Sequence, residues 1–339
     1  MRITNPMVTR NYTRNLNLNA NRLDRFSRQV QTGRRFNSFS ENNAGAVRAM
    51  QVRRNLDRVD ANISNVRSSQ GFLSTGEGML MQITENTHTI NERFLAAITG
   101  TTGEDGRRII ANELERIQEA ILGLANGQFA GRYLFGGSNT ITAPFTVERH
   151  PVNPADDPND PATVMRDLLV YNGVPLRDIQ PGDAIMSDGA YVDIGLGVSF
   201  NQADPTRPDA GSAFRFTLVG AQFMGIGEHN LYDTISEMIE FLQSPFDVER
   251  GSELLTQFQN SVNSVSIQIA MLGADTNFLE FSESRLLDEQ LNLRERQQDL
   301  EIRPPEEAIL DFKMAEFIYN ATLQMGQRLL QPTLFDFIR

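Results

Sequence analysis

Residues 52–73, VRRNLDRVDANISNVRSSQGFL, decide the fold. Val52, Leu56, Val59, Ile63, Val66, Gln70 and Leu73 recur at alternating steps of four and three. That is the repeat of a helix whose narrow apolar seam packs against another helix. Past Gly76 and Gly78 the pattern resumes with Leu80, Ile83, Thr87, Ile90 and Phe94, and a third run carries Ile110, Leu114, Ile117, Ile121 and Leu124. Toward the other end come Leu255, Phe258, Val262, Val265, Ile269, Leu272, Thr276 and Leu279, extended at seven-residue steps by Leu286, Leu293 and Leu300. One helix over 251–302 would be a rod of roughly 78 Å at 1.5 Å per residue, with Gly273 its weakest point. Seams this long and narrow point to bundles and coiled coils.

Shorter helices are expected at both ends. Residues 11–31 place Leu16, Leu23 and Val30 seven apart, with Tyr12, Ala20 and Phe26 alongside, but five asparagines weaken the stretch as a free helix. Pro304 and Pro305 end the long rod. Pro305, Glu306 and Glu307 then suit the first turn of a last helix, because proline tolerates the first helical position and acids oppose the helix dipole. Its expected seam is Leu310, Met314, Phe317, Ala321 and Met325.

The middle differs in kind. Nine of the 14 prolines lie between Pro144 and Pro208, among short β-type runs at Leu168–Tyr171, Tyr191–Ile194 and Phe214–Val219. The fold class is therefore mainly α with a β-rich insertion: a long helical bundle or coiled coil made by the two ends, and an outer β domain. We divide the chain into a terminal coiled-coil domain (1–41 and 305–339), a helical rod domain (42–135 and 230–304) and a β-rich outer domain (136–229).

Charge follows the same division. Residues 1–60 hold 12 arginines against four acids, net +8, whereas residues 275–316 hold 12 acids against five basic residues, net −7. Opposite signs favour pairing of the two arms, within one chain or between subunits. The whole 339-residue chain carries 31 basic and 43 acidic side chains, net −12, a poor balance for gripping nucleic-acid backbones. No apolar run reaches the length of a membrane span. The first 22 residues lack the apolar core and cleavage site of a secretory signal, so the protein is expected to be either intracellular or exported by a route that needs no cleavable signal peptide.

Chemistry is not written into this sequence. It has no cysteine, which removes thiolate metal sites, redox dithiols and cysteine nucleophiles, and only His88, His150 and His229 remain as histidines. No HExxH, G-x-S-x-G or Walker A pattern occurs, and Gly195 and Gly197 lack the third glycine of a dinucleotide fingerprint. Asp156, Asp157 and Asp160 near His150 sit in a proline-broken loop, more simply a solvated coil than a cation site. No enzyme, metal or cofactor is expected. Two interaction surfaces are: the terminal seams (Leu16, Leu23, Phe26, Val30; Leu310, Met314, Phe317, Ala321) and the closing QPTLFDFIR. Its Leu334, Phe335, Phe337 and Ile338 need a partner or a fold-back onto the bundle.

These residues resemble the bacterial flagellins and flagellar hook-associated proteins. QTGRRFNSFSENNAGA (31–46) is similar to the family's elbow after the first helix, departing from it with Phe36 for isoleucine and Ser40–Asn43 for paired aspartates. RRIIANELERIQEAILGLANGQFAGRYLFGGSNTITAPF, from Arg107, carries the Tyr-Leu-Phe-Gly-Gly and Pro-Phe elements of the hook-associated branch that joins hook to filament. IAMLGADTNFLE (269–280) and the segment from Glu306 also resemble it. The likeness spans 1–145 and 230–339 and leaves the insert unmatched.

The resemblance implies terminal helices forming an inner coiled coil, a rod outside it and a β domain facing the exterior. It implies an extracellular, flagellar location reached through the type III export apparatus with an export chaperone. The expected partners are further copies in a ring, a neighbouring hook-associated protein and flagellin. Function is then an adaptor ring at the hook–filament junction on which flagellin polymerises. A filament subunit is the alternative, and another type III-secreted coiled-coil protein a more distant one.

Overall fold

The structure, a computed structural model, describes residues 5–38, 40–99, 102–151, 165–200, 208–209, 211–245 and 247–330. Seven helices occur among them: α1 (Asn5–Thr32), α2 (Asn43–Ile98), α3 (Glu104–Ala125), α4 (Gly220–Met224), α5 (Leu231–Gln243), α6 (Val248–Glu301) and α7 (Pro305–Leu330). Seven short strands form three small antiparallel sheets: β1 (Gln128–Phe129) with β2 (Arg132–Tyr133), β3 (Phe145–Pro151) with β4 (Met165–Tyr171) and β5 (Val174–Pro175), and β6 (Tyr191–Val192) with β7 (Phe214–Arg215). The mainly α class with a β-containing insertion holds. The chain forms two compact units, one from its two ends (up to Asp60 and from Leu287) and one from Ala61 to Leu286.

In the larger unit α2 keeps most of its expected seam: Ile63, Val66, Leu73, Leu80, Ile83, Thr87, Ile90 and Phe94 are all buried, whereas Ser69 takes the buried place expected of Gln70. Each large apolar side chain so buried contributes on the order of 1.5–3 kcal/mol. The helix does not pause at Gly76 and Gly78, and Leu218 lies where a Gly76 side chain would stand. On α6, Phe258, Val265, Leu272, Leu279 and Leu286 are buried as expected. The positions between them are filled by Leu254, Ser261, Gln268 and Ser282, with Leu255, Val262 and Ile269 displaced to the flank. α3 shows the same substitution, burying Gln118 beside Leu114 and Ile121. The Gln118 amide donates to the Tyr232 carbonyl (3.0 Å) and the Ser236 hydroxyl (2.7 Å), so burying it leaves no unpaired donor.

The β segments pack on an aromatic cluster. Phe135, Phe145, Tyr171 and Phe223 are fully buried or nearly so, with Phe135 and Phe223 ring centroids 4.8 Å apart. The Tyr171 hydroxyl donates to the Phe135 carbonyl (3.0 Å), and burial pushes its pKa well above the ordinary phenol value. The Tyr-Leu-Phe-Gly-Gly run is thus structural: Leu134 and Phe135 fill the core, and Gly137, at φ +66°, turns the chain. β4 and β5 are joined by Asn172-Gly173, both at positive φ, the two-residue turn that matches strand twist. Asn230 caps α5 by accepting from the Asp233 amide (3.0 Å), and its own amide donates to the Asp233 carboxylate (2.6 Å). Burial nonetheless holds the Asp233 pKa above the usual carboxylate range.

Candidate functional site

The two chain ends meet in the smaller unit. α1 and α7 run antiparallel: Tyr12 lies against Gly326, the Asn19 amide donates to the Thr322 hydroxyl (2.9 Å), and Gln29 meets Arg303 just before α7 begins. Leu16, Leu23 and Phe26 are half-buried on the paired face of α1. Val30 is exposed, and Gln29 takes the buried place beside it. On α7 the paired face is Ala308, Phe312, Ala315, Tyr319, Thr322 and Gly326, a clean alternation of four and three in which Ala308, Ala315 and Gly326 are buried.

The expected α7 seam lies on the other side. Leu310, Met314, Phe317 and Met325 are 64%, 56%, 74% and 64% exposed, and Ala321 is half-buried. The reason is size: two alanines and a glycine let the backbones approach, and the larger apolar residues are left facing away. One helix therefore carries two stripes, a small-residue stripe facing α1 and a large apolar stripe, of which Met314 borders the α1 groove beside Arg25 and Phe26 while Leu310, Phe317 and Met325 are left mostly exposed. An exposed stripe of this size marks a contact surface.

An elbow holds the pair in place. Gly33, at φ +67°, ends α1 by donating to the Gln29 carbonyl (2.9 Å). The chain then lies along the α6–α7 break: Arg35 donates from its amide to the Glu301 carbonyl (2.8 Å), and Arg303 from its amide to the Gly33 carbonyl (2.9 Å). Arg303 is the hub. Its guanidinium forks between Gln29 and the Asp311 carboxylate and lies 5.5 Å from the Phe26 ring centroid. Arg53 makes a bidentate pair with Glu301 (2.6 and 2.5 Å), which holds that carboxyl below its ordinary value. Neither arginine stood out in the sequence: Arg303 adjoins the proline pair but its partners are distant, and Arg53 is one of several arginines inside α2.

Asp156, Asp157 and Asp160, and Leu334, Phe335, Phe337 and Ile338, lie outside the described residues. Among the described residues no group of three or more His, Asp or Glu side chains is placed to hold a metal ion, and no helix is long and apolar enough to cross a membrane.

The comparisons with known proteins bear on both ends. Residues 3–140 match the bacterial flagellin N-terminal helical region. The chain is 25% identical to flagellar hook-associated protein 3 of Escherichia coli K12 over 292 residues, covering 81% of this chain and 80% of that protein. It is 31% identical to flagellar hook-associated protein 3 of Salmonella typhimurium LT2 over 122 residues, 34% of this chain and 37% of that one. In fold it is similar to a putative flagellar hook-associated protein from Vibrio parahaemolyticus (TM-score 0.57, 17% identity, 77% of this chain and 100% of that one). It is also similar to FlgL from Bacillus cereus (TM-score 0.50, 15% identity, 73% and 99%). The chain thus carries a region that matches the bacterial flagellin N-terminal helical region over residues 3–140 and is similar to flagellar hook-associated protein 3 over most of its length.

Proposed function

We propose that this chain is a structural subunit of the bacterial flagellum, the adaptor at the hook–filament junction on which flagellin polymerises. The observation that carries the reading is its relationship to hook-associated protein 3 along four fifths of that protein's length. The terminal helix pair supports it, since α7 presents a heptad-spaced apolar stripe that a lone subunit leaves in water. Its mechanism is packing. Copies form a ring through the terminal helices, with a hook-associated neighbour and flagellin on either side and the β-containing insert on the outside. Delivery is through the flagellar type III export apparatus with a chaperone, to which the apolar segment Leu334–Ile338 would bind. The terminal, rod and outer domains drawn from the sequence belong to this proposal, as does the absence of catalysis.

Deleting the gene, imaging cell-surface hooks by electron microscopy and blotting the medium for flagellin tests it. Bare hooks with abundant flagellin in the medium are expected, because subunits are exported but find nothing to polymerise on. Bare hooks without secreted flagellin would make the chain a filament subunit. Normal filaments would overturn both readings.

A further inference from the structure

The paired helices leave two outer faces, and these differ in sign. On α1, away from the face that meets α7, stand Met7, Arg10, Arg14, Leu18, Arg25 and Arg28, all exposed and within roughly 80° of the helix circumference at 3.6 residues per turn. Arg10, Arg14 and Arg25 have no acidic partner among the described residues, and Arg28 reaches Asp24 and Glu41 (3.1 and 3.5 Å). Met314 and Arg25 sit at the edge between the helices, lining one groove with Phe26 and Ala315, while Leu310, Phe317 and Met325 stand on α7 away from the face that meets α1. That stripe begins with Glu306 and Glu307, exposed and without a basic partner among the described residues. The helices are antiparallel, so these two acids lie at the same end of the pair as Arg25 and Arg28.

We infer that the α7 stripe of one copy docks on the outer, arginine-bearing face of α1 of a second copy. The inference rests on the ring-forming reading above and names which faces meet. Three properties favour α1 of another copy over a second α7. The charges are opposite, whereas two α7 helices packed in parallel would set Glu306 and Glu307 against like charge. Met7 and Leu18, each about half exposed, give the apolar stripe a surface to cover, flanked by arginine stems that pack on it. The faces lie on opposite sides of one helix pair, so the contact is heterologous and repeats from copy to copy, closing a ring if the rotation allows.

The chain has no cysteine, which makes a cross-linking test unambiguous. Leu18→Cys combined in turn with Leu310→Cys, Met314→Cys, Phe317→Cys and Met325→Cys is expressed in the deletion strain, and isolated hook structures are oxidised. Two helices side by side hold the Cα atoms of these outer faces more than about 10 Å apart within one copy, and a disulfide needs Cα atoms within about 7 Å. Any bond is therefore between copies. A ladder of covalent multimers from at least one combination, absent from each single variant, is expected. Multimers from an α7 cysteine alone would place stripe on stripe, and filaments formed normally with no ladder would place a different partner there; either overturns the inference.

Charge reversal covers variants that fail to assemble. Glu306→Arg with Glu307→Arg, and Arg25→Glu with Arg28→Glu, should each lower the fraction of hooks bearing filaments on the order of tenfold. All four together should restore it, since like charges facing each other are costly and opposite ones are not. No restoration, with the variant protein exported normally, overturns the inference while leaving the junction role standing. Normal filaments in the deletion strain itself overturn the junction role and this contact with it.

Discussion

Tyr12 closes over Gly326, so that a methyl group on Gly326 would overlap the phenol ring. The phenol of α1 thus occupies the space that a side chain at this position of α7 would take. Gly326→Ala gains helix propensity of about 1 kcal/mol but overpacks a contact that costs about 1–3 kcal/mol to force apart. A net loss of pairing is expected, seen as faster proteolysis of the terminal helices in the purified chain. Tyr12→Ala in the same chain should reverse it.

Arg303 holds three groups at once, Gln29, Asp311 and the face of Phe26. Lysine keeps the charge but cannot fork. Arg303→Lys and Arg303→Ala should therefore both destabilise the terminal unit, alanine by about 1.5–3 kcal/mol as expected for hydrogen bonds to a charged group. A double-mutant cycle with Asp311→Asn in chemical denaturation measures the coupling. Additive losses would show that the two side chains act independently.

The Glu301 carboxyl titrates below its ordinary value of 4.5, chiefly because Arg53 donates to it. A carboxylate with a depressed folded-state pKa adds stability that is fully present above its unfolded value and fades as pH falls through the folded one. Thermal midpoints of the natural chain and of Glu301→Gln should therefore differ most at neutral pH, begin to approach each other only as pH falls below the ordinary value of 4.5, and meet below the lowered folded-state value. A gap independent of pH would mean that the glutamate acts by shape and not by charge.

Two glycines in one helix separate backbone cost from packing. Gly78 and Gly76 both lie inside α2, but an added methyl group meets nothing at Gly78 and stands 2.7 Å from the Leu218 Cδ1 at Gly76. Gly78→Ala should raise stability by about 0.5–1 kcal/mol. Gly76→Ala should gain less or lose, depending on how far Leu218 can swing. Equal gains, measured by thermal unfolding, would show that Leu218 yields freely.

The sequence carried some of these contacts openly and hid others. α2 was legible almost throughout because Leu, Ile, Val and Phe occupy most seam positions, the miss being Ser69, buried where the spacing points to Gln70. On α6 only every second seam position was legible, since Ser261, Gln268 and Ser282 fill the alternate ones and pattern reading favours the larger Leu255, Val262 and Ile269. α7 was the extreme case. Ala308, Ala315 and Gly326 make the paired face, and the large residues that dominate the pattern belong to the outer one. Hydrophobic size indicates which residues must leave water, not whether the same chain provides the cover. The elbow was visible as a glycine and a proline pair, but the Arg303 fork depends on residues 274 and eight positions away and has no local signature.

Leu23 and Phe317 place this distinction under test. Both sit at heptad positions in terminal helices, yet Leu23 is half-buried against α7 and Phe317 is 74% exposed. Leu23→Asp removes apolar burial and puts a charge in the seam, so the purified chain should lose about 1–3 kcal/mol. Phe317→Asp replaces a side chain that is mostly in water and should stay within about 0.5 kcal/mol of the natural protein. In a complemented deletion strain both should fail to support filaments, but for different reasons: Leu23→Asp because the pair opens, Phe317→Asp because an intact pair has lost its outer contact. Normal filaments with Phe317→Asp would show that the α7 stripe is not an assembly surface. A large loss of stability in that variant would show instead that the stripe is covered by its own chain.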